Sequence, residues 1–284
     1  MKYLYNDILL ERGVFLINFL FVIAMILHFY FEYSTQYLFY ILTGVTFVLS
    51  YIMFYKHKKF SKGIILTNLF VYFYFLYPHI GRFSSELFPN LSTYILILYT
   101  LFLAYILLEF SREKEIVLKS IFNTKMNYIL LSILIGFVFG IIFYLVGEPI
   151  PSEIFAGEST LPSLILNIFI ISFLIGVSEQ LLFTGFLYTT YASMTRPIDA
   201  QIQTSLLFVA FHMLRIEVII ASFFTIFLEL AYLYLFLYFL ALFVFMNISI
   251  ILYRGIKNMK GSFAYSVIFH TIVDFSLILM IVFL

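Results

Sequence analysis

Apolar runs about as long as a membrane is thick dominate this chain and restrict what it can fold into. A transmembrane helix needs about 20 consecutive, mostly apolar residues. Eight segments are interpreted as spans by that rule, at residues 13–32, 36–55, 63–81, 92–110, 126–147, 164–188, 200–215 and 262–283. A further run, 218–253, contains a single charged side chain, Glu229. The sequence therefore predicts an all-α polytopic membrane bundle of eight or nine transmembrane helices.

The composition agrees with a membrane protein and excludes several kinds of function. The chain is 64% hydrophobic and 11% charged, with a mean hydropathy of +1.08, whereas soluble domains are about 45–50% apolar and about 25% charged. No basic cluster is large enough to follow a nucleic-acid backbone, so we expect no nucleic-acid partner. The absence of cysteine excludes disulfides, thiol nucleophiles and thiolate metal sites. The first apolar run is not followed by a small-residue cleavage site, so a removed signal peptide is not expected.

The basic residues predict how the chain is oriented in the membrane. Lysine and arginine follow the second, fourth and sixth spans and the long run 218–253, whereas the segments between carry acidic residues. If 218–253 crosses once, every basic loop falls on one side, and the positive-inside rule gives a multi-pass cell-membrane protein with a cytoplasmic N-terminus. As one straight helix this run would be about 54 Å long. We therefore expect a tilted span with an interfacial or re-entrant piece, and two crossings remain the alternative.

Two segments between the spans have a distinct composition. Residues 111–125, SREKEIVLKSIFNTK, mix charged and apolar side chains. They could form a helix on the surface of the cytoplasmic leaflet or a solvated loop, and both alternatives remain open. Residues 148–163 are rich in proline, glycine and serine. This loop marks a break between the first five spans and the rest of the chain.

Five ionisable residues lie deep inside apolar runs in the second half of the chain. They are Glu179, His212, Glu229, His270 and Asp274. An ionisable side chain in the bilayer costs about 2.5–3.5 kcal/mol on insertion scales, and such residues are by default functional candidates. Glu229 stands alone, and a structural role is favoured for it. Five other ionisable residues are expected near the membrane interfaces, without a chemical role: Glu32, Glu109, His28, His57 and His79.

The spacing of the deep residues predicts one site shared by three helices. Residues four apart lie on one face of a helix, and this spacing joins Phe208 to His212 and His270 to Asp274. A third segment, SEQLLFTG, adds Glu179. Polar groups in lipid must face the bundle interior and find partners there. A hydrogen bond between membrane helices is worth only about 0.6 kcal/mol, which does not offset the insertion of two polar groups, so a functional cluster is favoured over simple packing pairs.

At these three segments the sequence resembles the CPBP family, the CAAX-protease and bacteriocin-processing intramembrane proteases that are also called Abi proteins. The family pattern is EExxxR, then FxxxH, then HxxxN or HxxxD, on successive helices. The chain has FVAFH and HTIVD in that order, and its first motif reads EQLLFT followed by glycine. The stretch before the last histidine, FMNISIILYRGIKNMKGSFAYSVIFH, is also similar. The resemblance implies an N-terminal membrane region without family signature, 1–125, and a CPBP-like intramembrane protease core, 126–284.

The resemblance implies a role for each residue that matches the family motifs. Glu179 corresponds to the glutamate that acts as general base toward a water, and His212 to the histidine that holds and polarises that water. His270 and Asp274 correspond to the pair that stabilises the oxyanion or completes the polar site. Phe208 is expected to support the site through the second motif.

The first motif departs from the family pattern at two positions. Gln180 stands where the family has a second glutamate, and Thr184 stands where it has an arginine. Removing one partner of a buried ion pair costs about 3–5 kcal/mol, whereas replacing both can be neutral. Because both are changed to residues that can hydrogen-bond at the same spacing, we expect Gln180 and Thr184 to support the site as a neutral pair. Gly176 and Gly185 bracket the motif, either for close approach of backbone or substrate or as ordinary membrane-helix glycines.

Two mechanisms and two classes of protein remain open. Two histidines and a carboxylate, His212, His270 and Glu179, form a plausible zinc set, but the spacing does not resemble HExxH, so a peptidase without a cofactor is favoured. Its partners would be the lipid bilayer and a membrane-associated substrate, such as a prenylated protein or a leader peptide. The alternative is a catalytically inactive protein of the same fold with an immunity or accessory role. A transporter would require inverted repeats or a second polar cluster, and the sequence contains neither.

Overall fold

The computed structural model describes residues 91–111, 114–122, 124–146, 160–193, 195–213, 228–256 and 259–284, with three single positions between residues 80 and 87. Within these ranges the chain is helical apart from its turns and one small hairpin. Four helical segments are long and apolar enough to cross a membrane: Met126–Val146, Leu161–Ala192, Leu233–Arg254 and Phe263–Phe283. This confirms the predicted all-α, membrane-type architecture. The count of eight or nine spans stays a prediction, because the predicted spans 13–32 and 36–55, and all of 63–81 except residue 80, lie outside the described residues.

The described part of the chain contains eight α-helices, one π-helix and two short strands. In chain order these are α1 Ser92–Ser111, α2 Lys114–Ile121, α3 Met126–Val146, α4 Leu161–Gln180, the π-helix Leu181–Tyr188, α5 Thr189–Ala192, α6 Pro197–Met213, α7 Leu228–Arg254, β1 Gly255–Ile256, β2 Met259–Lys260 and α8 Phe263–Phe283. Strands β1 and β2 pair antiparallel and join α7 to α8. Helix α6 has 17 residues and is not among the four segments that meet the length and composition of a span.

Helix α8 lies very close to α3 because glycines occupy the points of contact. A Cβ added to Gly136 would lie 2.9 Å from the side chain of Ile272, and a Cβ added to Gly140 would overlap the hydroxyl of Ser276. Gly136 and Gly140 are four residues apart, so they face α8 from successive turns of α3. Small residues at this spacing let the backbones of membrane helices approach closely. Gly136 and Gly140 therefore determine the position of α8 against α3.

A cluster of phenylalanine rings fills the space between α3, α7 and α8. Phe245 of α7 stacks on Phe269 of α8 with ring centroids 4.9 Å apart. Phe139 of α3 meets Phe269 edge-on at 5.6 Å, and Phe143 meets Phe245 at 5.8 Å. All four rings are buried. Such pairs contribute about 0.5–1.5 kcal/mol beyond the burial of their area, so the cluster helps to hold α7 and α8 together.

The helix that begins at Leu161 changes its winding after Gln180. Residues Leu181–Tyr188 form a π-helix, and α5 continues from Thr189. The Thr189 hydroxyl donates to the carbonyl oxygens of Gly185 and Phe186, which provides a donor where the regular bonding pattern of the helix changes. Short π-helical turns are rare and are frequent at functional sites. The predicted span 164–188 covers this region, but the change of winding was not predicted.

Helices α6 and α7 are joined by a polar contact, and a sharp turn follows α7. Gln201 Nε2 donates to Asn247 Oδ1 at 2.8 Å. Gly255, at the start of the hairpin, has a φ of 80°, a conformation that glycine adopts without the steric penalty of a side chain. The predicted run 218–253 is one continuous helix from residue 228 to 254. Residues 214–227 lie outside the described residues, so its path across the membrane stays a prediction.

Helices α1 and α2 precede the predicted domain boundary at residue 125 and pack against the helices that follow it. The Tyr94 hydroxyl of α1 donates to Asn167 Oδ1 of α4 at 3.1 Å. The Ser262 hydroxyl, at the N-cap of α8, donates to the carbonyl oxygen of Ser120 in α2 at 2.6 Å. Part of the segment 111–125 is therefore a helix rather than a loop. Its position on the cytoplasmic leaflet and the division into 1–125 and 126–284 stay predictions.

Candidate functional site

Three helices bring the predicted polar residues together in one buried cluster. Glu179 is the second-last residue of α4, His212 lies near the end of α6, and His270 lies in α8. Glu179 Oε2 is 3.8 Å from His212 Nε2 and also 3.8 Å from His270 Nε2. Each of the three residues is only 4% exposed. A carboxylate thus lies between two imidazoles from different helices.

Asp274 lies one helical turn after His270 and contacts the same ring nitrogen. Its Oδ2 is 3.5 Å from His270 Nε2, and its side chain is 21% exposed. That distance is longer than the 2.7–3.2 Å of an ordinary N–H···O hydrogen bond. His270 and Asp274 therefore share one face of α8, as their HxxxD spacing predicts. Asp274 lies on the more exposed side of the cluster.

Phe208 contacts His212 through both its backbone and its ring. His212 Nδ1 lies 3.0 Å from the carbonyl oxygen of Phe208, and the two ring centroids are 4.3 Å apart. A carbonyl oxygen can only accept, so Nδ1 of His212 carries the proton. In the neutral ring Nε2 then has the lone pair, and this atom lies 3.8 Å from Glu179 Oε2.

Gln180 and Thr184 form the neutral pair that their spacing predicts. The Thr184 hydroxyl donates to Gln180 Oε1, and both residues are completely buried. A second contact of Gln180 was not predicted: its Nε2 lies 2.9 Å from His270 Nδ1. Gln180 is therefore connected directly to the histidine of α8, and Thr184 is connected to it through Gln180.

The two glycines of the first motif have different surroundings. A Cβ added to Gly176 would lie 2.9 Å from Thr271 Oγ1 and 3.1 Å from the Thr271 backbone nitrogen. A Cβ added to Gly185 would find its nearest neighbour, a methyl group of Val117, at 3.5 Å, which is an ordinary contact. Of the alternatives left open by the sequence, close backbone approach therefore applies to Gly176. It brings α4 against α8 one turn before Gln180 meets His270.

Phe245 of α7 lines the cluster although the sequence analysis did not single it out. Its ring meets His270 edge-on, with centroids 4.8 Å apart, and stacks on Phe208 at 5.6 Å. The chain has 38 phenylalanines, so no single one carries a sequence signal. Its contribution follows only from the packing of α7 against α6 and α8.

Of the side chains of the remaining ionisable candidates, the structure describes only that of Glu109. Glu109 lies exposed in α1. The side chain of Glu229 lies outside the described residues, and so do Glu32, His28, His57 and His79. Their predicted interfacial or structural roles stay predictions.

The zinc alternative can be compared with the arrangement of possible ligands. Across the described ranges, no group of three or more histidine, aspartate or glutamate side chains is arranged to hold a metal ion. The set of His212, His270 and Glu179 thus has no geometric support as a zinc site. Catalysis without a cofactor stays a prediction.

Comparison with protein-family models, curated proteins and solved structures found no match to this chain. The resemblance to the CPBP family therefore depends on the three motifs and on the cluster that they form. Membership of that family, and the peptidase activity that it implies, are proposals.

Proposed function

We propose that this chain is an intramembrane endopeptidase of the CPBP type, in which Glu179 and His212 activate a water for attack on a peptide bond. The observation that carries this proposal is the buried carboxylate of Glu179, whose Oε2 lies 3.8 Å from Nε2 of both His212 and His270. Groups on three separate helices meet there. An arrangement of this kind provides a base, a group to hold the water and a group to face the developing negative charge.

The distance between Glu179 and His212 suits the activation of a water. A water oxygen at a hydrogen-bonding distance of about 2.8 Å from each atom fits a separation of 3.8 Å. The lone pair of His212 Nε2 accepts one water proton in a hydrogen bond, and Glu179 accepts the other. As the water oxygen bonds to the substrate carbonyl carbon, its proton passes to Glu179. Glu179 then donates that proton to the leaving nitrogen as the carbon–nitrogen bond breaks.

His270 Nε2 lies 3.8 Å from the same carboxylate oxygen of Glu179, and His270 is the residue that we assign to the substrate oxygen. A hydrogen-bond donor directed at the oxyanion of a tetrahedral intermediate increases the reaction rate about 10²–10³-fold. Asp274 Oδ2 is 3.5 Å from His270 Nε2, so its carboxylate attracts the N–H and favours this orientation of the ring. In the proposed step His270 donates this N–H to the substrate oxygen.

In this proposal the chain is a multi-pass protein of the cell membrane, with eight or nine spans and a cytoplasmic N-terminus. Four helices of sufficient length and hydropathy support a membrane location. A site between such helices favours a substrate that is itself membrane-associated, such as a prenylated C-terminal peptide or a leader peptide.

The test is cleavage by the purified full-length protein in detergent or nanodiscs. A prenylated C-terminal peptide and a broad panel of membrane-associated peptides are incubated with wild type, Glu179→Gln and His212→Ala. Loss of the base should slow cleavage by about 10²–10⁴-fold. Glu109→Gln is the matched control, because it makes the same change at an exposed glutamate of α1, and it should cleave like wild type. If wild type and Glu179→Gln are equally inactive on the whole panel, the peptidase proposal is wrong.

The second candidate is a protein of the same fold that cleaves nothing and has an immunity or accessory role. It is favoured by Gln180 and Thr184, which stand where the family pattern has charged residues. The cleavage assay separates the two candidates. A chelator added to active protein tests the cofactor prediction, since we expect no loss of activity, and a loss restored by zinc would contradict the mechanism without a metal.

A further inference from the structure

We propose that Gln180 and Thr184 are positioning residues that fix the tautomer of His270, so that its Nε2 carries the proton. The consequence for catalysis rests on the proposed function, because an Nε2–H is the donor that the substrate oxygen would need. The tautomer itself can be measured in the absence of any substrate. The inference is carried by two hydrogen bonds in the cluster and by the charges around the ring.

The first step concerns the orientation of the Gln180 amide. Gln180 Oε1 accepts the hydroxyl proton of Thr184. A flipped amide would put its oxygen against His270 Nδ1 and leave a lone pair on His270 Nε2, and the carboxyl oxygens of Asp274 and Glu179 near that atom would repel a lone pair. The other amide atom, Nε2, is therefore the one that lies 2.9 Å from His270 Nδ1. Both residues are completely buried, so bulk water does not compete for these groups.

The second step concerns the imidazole of His270. An amide nitrogen only donates, so Nδ1 of His270 must accept, and a neutral imidazole then carries its single proton on Nε2. The surroundings of Nε2 favour the same tautomer, because it lies 3.5 Å from Asp274 Oδ2 and 3.8 Å from Glu179 Oε2. An N–H is attracted by these carboxyl oxygens, whereas a lone pair would be repelled. Both sides of the ring thus favour an Nε2–H.

The third step compares the two histidines of the cluster. The carbonyl oxygen of Phe208 holds the proton of His212 on Nδ1, which leaves its Nε2 as an acceptor. Gln180 places the proton of His270 on Nε2, which makes that atom a donor. The two imidazoles therefore face Glu179 with opposite hydrogen-bonding character. The acceptor, His212 Nε2, suits a water that must be held. The donor, His270 Nε2, suits a substrate oxygen that becomes negative.

The replacement of glutamate by glutamine at position 180 is essential to this arrangement. An ionised glutamate can only accept, so it would draw a proton onto Nδ1 of His270 and leave Nε2 without one unless the ring became charged. Glutamine supplies a donor instead. The departure of the first motif from the family pattern thus has a specific chemical consequence at the neighbouring histidine.

The test is NMR of the full-length protein, labelled with ¹⁵N and ¹³C in histidine and reconstituted in bilayers at neutral pH. The ring shifts distinguish Nδ1–H from Nε2–H, and His270→Asn identifies the signals of His270. We expect the Nε2–H form in wild type, in about tenfold excess or more. Gln180→Glu should shift His270 to a form with a proton on Nδ1. Gln201→Glu is the matched control, because Gln201 is a buried glutamine whose amide donates to Asn247 of α7 rather than to His270, and it should leave the signals of His270 unchanged.

A second pair of variants tests the contribution of Thr184 without a change of charge. Thr184→Ser keeps the hydroxyl and should keep the tautomer, whereas Thr184→Val keeps the shape, loses the donor and should reduce the excess of the Nε2–H form. The inference is overturned if wild-type His270 carries its proton on Nδ1, or if both Gln180→Glu and Thr184→Val leave its signals unchanged. Wild-type protein with the expected tautomer and no peptidase activity refutes the proposed function alone. An active peptidase whose His270 is the Nδ1–H form refutes this inference alone.

Discussion

Replacement of Gly176 by alanine inserts a methyl group at the point where α4 approaches α8 most closely in the first motif. The new Cβ would lie 2.9 Å from Thr271 Oγ1 and 3.1 Å from the Thr271 backbone nitrogen, whereas ordinary contacts begin at 3.4 Å. The two helices must therefore separate locally by about 0.5 Å, the difference between 2.9 and 3.4 Å. Overpacking of a close-packed interior costs about 1–3 kcal/mol. We expect the free energy of unfolding to fall by that amount.

The same displacement should disturb the site, because Gln180 follows Gly176 by one helical turn. Its contact with His270 is 2.9 Å long, and a separation larger by about 0.5 Å exceeds the range of an ordinary hydrogen bond. A misplacement of about 1 Å near a reacting centre can reduce the rate about 10²-fold. We therefore expect peptide cleavage by Gly176→Ala to be slower by about tenfold.

The stability assay is unfolding of the purified protein in detergent, and it does not depend on any activity. Gly185→Ala is the matched control, since it makes the same change in the same helical segment and its new Cβ meets only ordinary contacts. It should lose no stability. Thr271→Ala removes the nearest atom, so the double variant Gly176→Ala, Thr271→Ala should recover part of the loss. If Gly176→Ala is as stable as Gly185→Ala, close approach of α4 and α8 does not require the glycine.

Two further predictions concern residues around His270. Phe245→Leu removes the edge-on contact with His270 and the ring contacts with Phe269, Phe143 and Phe208. It should lower the free energy of unfolding by at least about 1.5 kcal/mol, because each such pair contributes about 0.5–1.5 kcal/mol. Phe137→Leu, at a 44% exposed ring of α3, should have little effect, and equal losses in the two variants would contradict a packing role of the Phe245 ring. Thr184→Arg alone places a charge in a fully buried position and should cost about 3–5 kcal/mol. In combination with Gln180→Glu the loss should be smaller than for either single change, and additive losses would refute the pairing of these positions.

The convergence of the polar residues could be predicted because two physical constraints apply to them together. Ionisable groups are costly in an apolar run, so they must share partners, and the spacing of four residues places His270 and Asp274 on one face of a helix. The structure brings His212 and Glu179 to the same cluster. These constraints act on each segment separately, and they do not depend on knowing how the helices are packed.

The finer connections could not be predicted, because they depend on the rotation and distance between helices. Gln180 meets His270 only because α4 lies against α8 at Gly176, a contact between residues far apart in the chain. The π-helix after Gln180 also has no local signature, since its residues are those of an ordinary apolar helix. Phe245 was missed for the same reason: its contact with His270 follows from tertiary packing.

The hydrogen bonds of Gln180 give a physical reason for the two positions, 180 and 184, at which the first motif differs from the family pattern. In the sequence, the absence of a second glutamate and of an arginine is the main reason to expect a protein that no longer cleaves. If those positions had only lost a function, nothing would require polar side chains there, because an apolar pair of similar volume is often as stable as a buried ion pair. Instead, Thr184, Gln180 and His270 form a continuous chain of hydrogen bonds in a fully buried place. A buried neutral pair avoids the large cost of burying charges. Its amide Nε2 lies 2.9 Å from His270 Nδ1, where the proposed tautomer requires a donor and a carboxylate could only accept. Gln180 and Thr184 are thus better explained as a neutral support for His270 than as residues without a role.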